Sequence, residues 1–249
     1  MDDLFPPCFE SFADAIRGLP HLDRLQKADL LVEQFRVFKD ERIEICYAPF
    51  DFVNIRAKVA IVGITPGWTQ MEIAFRQASA VLHKGGTATE ASQRAKEEAS
   101  FAGAMRNNLV KMLDEIGLQD VIGIESCHEL FGTSRHLVHT TSAVRHPVFI
   151  HGQNYAGHSP DLLSHPVLRR YVEEVLASEL TATLNSLVVP LGRCVDNVLQ
   201  HLIQIGALSE RRCLLGFPHP SGLNGHRRVQ FELGREEFVR VAKDWATST

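Results

Sequence analysis

The stretch that most restricts how this chain can fold is Lys58 to Gln70, KVAIVGITPGWTQ. Val59 to Val62, followed by Gly63, runs without a charge, the pattern of a strand buried on both faces. It breaks into the turn Gly63-Ile64-Thr65-Pro66-Gly67, and a helix-like segment follows. Open α/β sheets place ligands at such carboxyl ends. The two glycines allow close backbone approach to a substrate, and Pro66 stiffens the turn. An ordinary strand-to-helix connection reads the same way, so the turn alone does not decide.

The rest of the chain alternates. Helical spacing predicts helices over Phe9–Leu19, His21–Lys39, Gln70–His83, Leu168–Leu184, Arg193–Ile205 and Glu236–Ala246. Thr89–Gly117 reads as one long amphipathic pattern, with Glu90–Glu98 solvated and Gly117 as its stop. Ile43–Tyr47 alternates as an edge strand leading to the buried one. Leu137–Ala143, Leu187–Gly192 and Arg212–Gly216 are further strands, Asp120–Ile124 is a connection or strand, and His146–Pro160 is a loop. Strands alternating with helices predict an α/β fold with a mainly parallel sheet. Three strands end in special loops, at Thr65, Ser142 and His219, which a parallel sheet can bring to one crevice.

With 249 residues, 45% of them hydrophobic, the chain suits one globular domain over 1–249. Residues 1–50 form its N-terminal helical extension and 55–246 its core. The formal charge of −4 excludes a general polyanion binder, so nucleic-acid contact needs a local basic patch. The five cysteines show no C-x-x-C pair or zinc spacing and read as reduced, mostly buried thiols of a cytoplasmic protein. The start, MDDLFPPCFE, has no long apolar core, so no signal peptide is expected, and no run reaches membrane-spanning length. His139 to His151 holds three histidines and Arg145 without a standard metal-ligand spacing. Asp51 and Glu72 flank the turn and read as solvated carboxylates.

GITPG (Gly63–Gly67) and HPSGLN (His219–Asn224) resemble, in this order, the two active-site motifs of the uracil-DNA glycosylase superfamily. Ser100-Phe101-Ala102-Gly103, Leu109–Leu113 and Ile116-Gly117-Leu118 are similar to an intervening segment of its thermophile-type branch, as is Leu187–Leu199, LVVPLGRCVDNVL. The resemblance spans roughly 55 to 245 and leaves the first fifty residues uncovered. It implies a three-layer sandwich around a mainly parallel central sheet. It does not bring that branch's iron–sulfur cluster, because the cysteines do not match, and no cofactor is expected.

The resemblance also implies roles. His219 would stabilise the departing base, since a neutral imidazole bonds more strongly as a carbonyl oxygen becomes anionic. Thr65 stands where the superfamily has Asp, Asn or Ala; it can contact a water but has no useful basicity. Phe101 matches the aromatic that stacks on the extruded base, worth about 1–3 kcal/mol. Ser142 replaces an Asn that reads the base edge, offering one rotatable hydroxyl instead of an amide. Gly67 stands where the most uracil-selective branch has a Tyr, which leaves room for a substituted base beside Trp68. Gly63, Ile64 and Pro66 complete the first contact loop. Ser221, Gly222 and Leu223 look like the wedge that enters the duplex, Asn224 joins the substrate-binding residues, and His226, Arg227 and Arg228 follow as phosphate contacts.

The expected function is hydrolysis of the N-glycosidic bond of uracil or a modified base in DNA, single- or double-stranded, by a monomer without a membrane partner. The competing readings are a base- or nucleotide-binding protein with a degenerate pocket and an enzyme acting on free nucleotides.

Overall fold

The computed structural model describes residues 5–101 and 103–248, and for Gly103 and Ala104 the backbone alone. Met1–Leu4 of the expected extension, Ala102 of the Ser100–Gly103 segment and Thr249 lie outside the described residues. In chain order the helices are α1 (Phe9–Arg17), α2 (Lys27–Leu30), α3 (Trp68–His83), α4 (Ala88–Ala99), α5 (Gly103–Glu115), α6 (Leu118–Ile122), α7 (Pro166–Arg170), α8 (Ala177–Ala182), α9 (Arg193–Gln204) and α10 (Arg227–Ser248). The strands are β1 (Arg36–Lys39), β2 (Glu44–Cys46), β3 (Val59–Gly63), β4 (Val138–Ser142), β5 (Val148–Ile150), β6 (Gln153–Asn154) and β7 (Leu187–Pro190). A π-helical turn, Tyr171–Leu176, joins α7 to α8.

The chain divides into two compact units. The first comprises Met1–Phe52, Thr65–Ser100 and Val144–Tyr171, the second Val53–Ile64, Phe101–Ala143 and Val172–Thr249. The second unit holds the parallel sheet, in strand order β4-β3-β7. On β3, Val59 to Val62 are sealed from solvent. Val59 and Ile61 pack with Leu187 and Val189 into a core that includes Leu109, Leu113, Ile116, Phe231 and Phe238 of the helices. Ala60, Val62 and Val188 point to the other face and are equally buried, as an uncharged parallel strand requires.

The first unit holds an antiparallel sheet, in order β1-β2-β5-β6. Its core joins Phe9, Ile16, Leu30 and Phe35 to Met71, Phe75, Ala91, Ala95 and Phe149. The expected helix over His21–Lys39 is therefore too long. Asp40 accepts hydrogen bonds from the Arg42 and Ile43 amides, both at 2.8 Å, and this side-chain-closed turn folds β1 back on β2. Arg36 then pairs with Glu44 across the hairpin, 2.6 Å. Nor is Ile43–Tyr47 an edge strand leading to β3: β2 pairs with both β1 and β5.

Other expectations shift for local reasons. Thr89–Gly117 breaks at Ser100, whose hydroxyl folds back on the Lys96 carbonyl, so α4 and α5 are separate. The charged half of that pattern is not solvated throughout. Ser92 accepts the Phe52 amide at 2.8 Å and the Lys96 ammonium donates to the Phe52 carbonyl at 2.7 Å, both side chains buried. Asp120–Ile124 is mostly helical, as α6, and His146–Pro160 contains the hairpin β5–β6. Arg212–Gly216 contributes one bridge, Val188 to Cys213, rather than a strand. Arg212 is drawn aside to cap the end of α8, bonding the carbonyls of Leu180, Thr183 and Ser186. The last helix starts at Arg227, nine residues before the expected Glu236.

Helix propensity favours Ala over Gly by about 1 kcal/mol in a helix interior. At Gly234 of α10 the sign should reverse. A Cβ there would lie 2.4 Å from Phe238 Cζ, and that ring is pinned between Phe217 and Phe231. Gly234→Ala is expected to destabilise by roughly 1–3 kcal/mol in chemical denaturation.

Candidate functional site

The carboxyl edge of the parallel sheet collects four of the expected residues within the second unit. Gly63 ends β3 in register with Ser142, the last residue of β4, and its carbonyl accepts the Ala143 amide at 2.8 Å. A Cβ built on Gly63 would lie 3.4 Å from Ser142 Oγ and 3.9 Å from Phe101 Cε1. A methyl group at position 63 would thus meet a hydroxyl and an aromatic edge at van der Waals distance. Ile64 follows, half-buried.

Phe101 has a left-handed backbone, φ +37°, which an L side chain adopts at a cost of order 1–3 kcal/mol. Surrounding contacts hold it there. Arg106 Nε donates to its carbonyl at 2.5 Å. Its ring meets Phe131 edge-on, centroids 6.4 Å apart, and the Arg106 guanidinium lies 5.0 Å from the Phe131 centroid. The contacts therefore maintain a strained backbone beside the sheet's carboxyl edge.

His219 belongs to the same edge. Leu191, just after β7, donates its amide to the Val62 carbonyl of β3. Gly192 follows with φ +87°, and a Cβ there would sit 2.8 Å from His219 Cβ. Glycine is needed on both counts. His219 Nδ1 accepts the Ser221 amide at 3.2 Å, which leaves the neutral ring's proton on Nε2. Burial lowers its pKa below the ordinary 6.5, so the imidazole is neutral at pH 7.

The loop beyond His219 is braced by its own side chains and by Asn108 of α5. Asn108 donates to the Pro220 carbonyl at 2.9 Å, and Asn224 Nδ2 to the His219 carbonyl at 3.2 Å. Ser221 Oγ accepts the Leu223 amide. Leu223 itself is 98% exposed at the tip, flanked by Gly222 with open space around its Cα. Arg227 donates to the Ser221 carbonyl at 2.8 Å, so it supports the loop from inside. Arg228 is bound to Glu115 at 2.6 Å and to Glu232 at 2.7 Å. His226 is exposed at the start of α10, whose positive dipole end faces this loop.

The first unit contributes the remainder of the turn. Pro66 is buried. Thr65 Oγ1 donates to the His146 carbonyl at 2.8 Å. Its hydroxyl proton is thereby committed and only oxygen lone pairs remain for a water. The Gly67 amide is capped by Gln70 Oε1 at 3.0 Å. The half-buried Trp68 donates its amide to Asn154 Oδ1 at 2.9 Å. Asn154 was invisible in the sequence because the β5–β6 hairpin that delivers it read as a loop.

A polar cluster lies under this turn in the same unit. Tyr47 donates to Asp51 Oδ2 at 2.7 Å, while Asp51 Oδ1 and the Tyr171 hydroxyl are buried and find no hydrogen-bond partner among the described residues. Burial pushes the Asp51 carboxyl up to about 6, against the opposing pull of Tyr47, Arg145 and Lys96. Asp51 is therefore no solvated carboxylate. Neither is Glu72, which is 4% exposed and accepts the Leu25 amide at 3.1 Å beside Arg76. His139 bonds buried Glu179 through Nε2 at 2.8 Å. Among the described residues no three His, Cys, Asp or Glu side chains group to hold a metal, and no helix is long and apolar enough to cross a membrane.

A model of the uracil-DNA glycosylase superfamily matches residues 50–246. The uncharacterized protein YoxB of Bacillus subtilis (strain 168) is 40% identical over 241 residues, 96% of this chain and 93% of the relative. No solved structure matches the chain.

Two substitutions test this geometry. Gly192→Ala should cost on the order of 2 kcal/mol and shift the His219 imidazole resonances, since both φ and the 2.8 Å approach exclude a methyl group. Asp51 has a folded pKa of about 6 against an ordinary 3.8. Its contribution to stability is present below 3.8 and is lost as pH rises through about 6. Asp51→Asn should therefore match the wild type in denaturation near pH 4 and exceed it at pH 8, by on the order of 2 kcal/mol.

Proposed function

The chain belongs to the uracil-DNA glycosylase superfamily, and on that premise we propose that it hydrolyses the N-glycosidic bond of uracil or a modified base in DNA, single- or double-stranded. Family membership supports a DNA-glycosylase-like function and a DNA partner. The observation that carries the finer reading is the fixed tautomer of His219: a neutral imidazole presenting an Nε2 proton at the carboxyl edge of the sheet.

The chemistry follows from that proton. As the glycosidic bond breaks, its electron pair moves into the base and a carbonyl oxygen gains charge. A neutral N–H donor strengthens as this happens and stabilises the transition state more than the ground state. Water adds to the sugar carbon and its proton leaves to solvent or to the departing base. Phe101, held in its strained conformation, offers the stacking face for the extruded base. Ser142 supplies one hydroxyl beside Gly63. Leu223 fills the gap in the stack, an apolar tip on a loop stiffened by Asn108, Asn224 and Arg227.

Ile64 and Pro66 shape the first loop, and Gly67 beside Trp68 leaves room for a substituted base. Thr65 contacts the water as an acceptor and does not deprotonate it, so turnover leans on leaving-group stabilisation. Phosphate attraction comes from His226, the α10 amino terminus and the standing charge of Arg227 more than from Arg228, which two carboxylates neutralise. We take the enzyme to be a cytosolic monomer acting as a single domain without a cofactor. The committed Thr65 hydroxyl favours one second reading, a base-binding protein of low turnover.

The test is release of bases from a panel of uracil-containing, deaminated and alkylated DNA, read by mass spectrometry. His219→Ala should lower kcat on the preferred substrate by about 10²–10³-fold with folding intact. Because the His219 pKa is lowered, its protonation should depress kcat/KM only below pH 6.5. No base release anywhere on the panel, with saturable base binding, would select the second reading.

A further inference from the structure

We propose that a cavity of about 1020 Å³ in the second unit binds an amphiphilic carboxylate, a small molecule with a carboxylate head and a flat apolar body. The head meets Arg212 and Arg211, and the body lies against Trp245 and its apolar neighbours. This goes beyond the glycosylase reading and does not rest on it.

The walls all belong to the second unit. They are the end of α8 with the residues after it, the connection from Gly206 to Leu215, and the last turns of α10. No residue of the candidate site lines the space, and its volume suits a drug-sized molecule. Leu214, Leu215, Val241 and Trp245 give it apolar surface. Leu184 lines it too and is 63% exposed, so part of that surface is left in water for a ligand to cover. The Trp245 indole N–H donates to the Asn185 carbonyl at 3.0 Å, which fixes the ring in the wall.

Arg212 carries the charge argument. It lines the cavity and is only 9% exposed. Its Nη1 donates to the Thr183 and Ser186 carbonyls at 3.0 and 3.1 Å, and its Nη2 to the Leu180 carbonyl at 2.7 Å. The Nε donor has no partner among the described residues, and Nη2 keeps a second N–H. No carboxylate there pairs with the guanidinium, so a positive charge is held away from water on neutral oxygens alone. Burial accordingly pulls its pKa below the ordinary arginine value. A charge in that setting calls for a counter-ion. Nε and Nη2 form the guanidinium edge that grips a carboxylate with two parallel bonds. Arg211, the preceding residue, also lines the cavity; it is exposed and has no partner among the described residues. Of the carboxylates on the walls, Glu237 and Asp244 both hold Arg240, at 2.5 and 2.7 Å, and Glu210 is exposed to water.

Capping α8 is the other role of Arg212, and it leaves Nε unused. The full chain would be titrated by calorimetry with 2-naphthoate and with its uncharged counterpart, 2-naphthalenemethanol. Naphthoate should bind about tenfold more tightly than the alcohol, the gain expected of a charge-assisted pair. Arg212→Gln should remove that advantage. Because it also strips the α8 cap, two further variants leave the cap in place. Arg211→Gln should weaken naphthoate by about threefold or more and leave the alcohol unchanged. Val241→Trp, which fills the space, should abolish binding of both with the circular dichroism spectrum preserved. Equal affinity for acid and alcohol, naphthoate binding that survives Val241→Trp, or no binding at millimolar naphthoate overturns the assignment.

Discussion

Everything at the candidate site depends on the parallel hydrogen bonding of β3 with its two neighbours. The register sets Gly63 beside Ser142 on one side, and on the other carries Leu191 onto the Val62 carbonyl so that Gly192 and His219 arrive at the same edge. Adjacent strands lie about 4.8 Å apart, so three strand ends span roughly 10 Å, a width suited to one nucleobase and its sugar. A slip of one residue would invert the faces of Val59–Val62 and remove Gly63 from Ser142. The uncharged composition of β3 makes that slip expensive only because both of its faces are packed.

On that frame the second unit concentrates constrained polar chemistry. His219 is kept neutral by burial and given its tautomer by one backbone amide. Phe101 is held in a left-handed conformation by Arg106 and Phe131. Leu223 is left in solvent by a loop whose carbonyls are bonded from within. Of the three, only Phe101 carries backbone strain; His219 and the Leu223 loop are held by ordinary hydrogen bonds.

The first unit uses a different device. Antiparallel pairing builds a tight hairpin that sets Asn154 against the Trp68 amide, while Tyr47, Asp51 and Tyr171 form a largely buried polar cluster in the same unit. An acid pushed to about 6 by burial reduces stability at neutral pH. Thr65 is fastened to the same layer through the His146 carbonyl.

Sequence alone determined β3, its glycine-proline turn, the helical and strand alternation and the order of the two motifs, because each is written in neighbouring residues. Local pattern misled where distant partners decide the outcome. Arg36–Lys39 became a strand because Asp40 closes a turn and Glu44 waits across it. Asp51 and Glu72 look like surface acids until the Tyr47 hydroxyl, the Leu25 amide and Arg76 enclose them. Arg228 looks like a phosphate contact until Glu115, 113 residues earlier, takes its charge. Only tertiary structure could give Asn154 its place or His219 its tautomer. A hydrogen bond depends on distance in space, and a linear sequence records which groups exist without recording which of them meet.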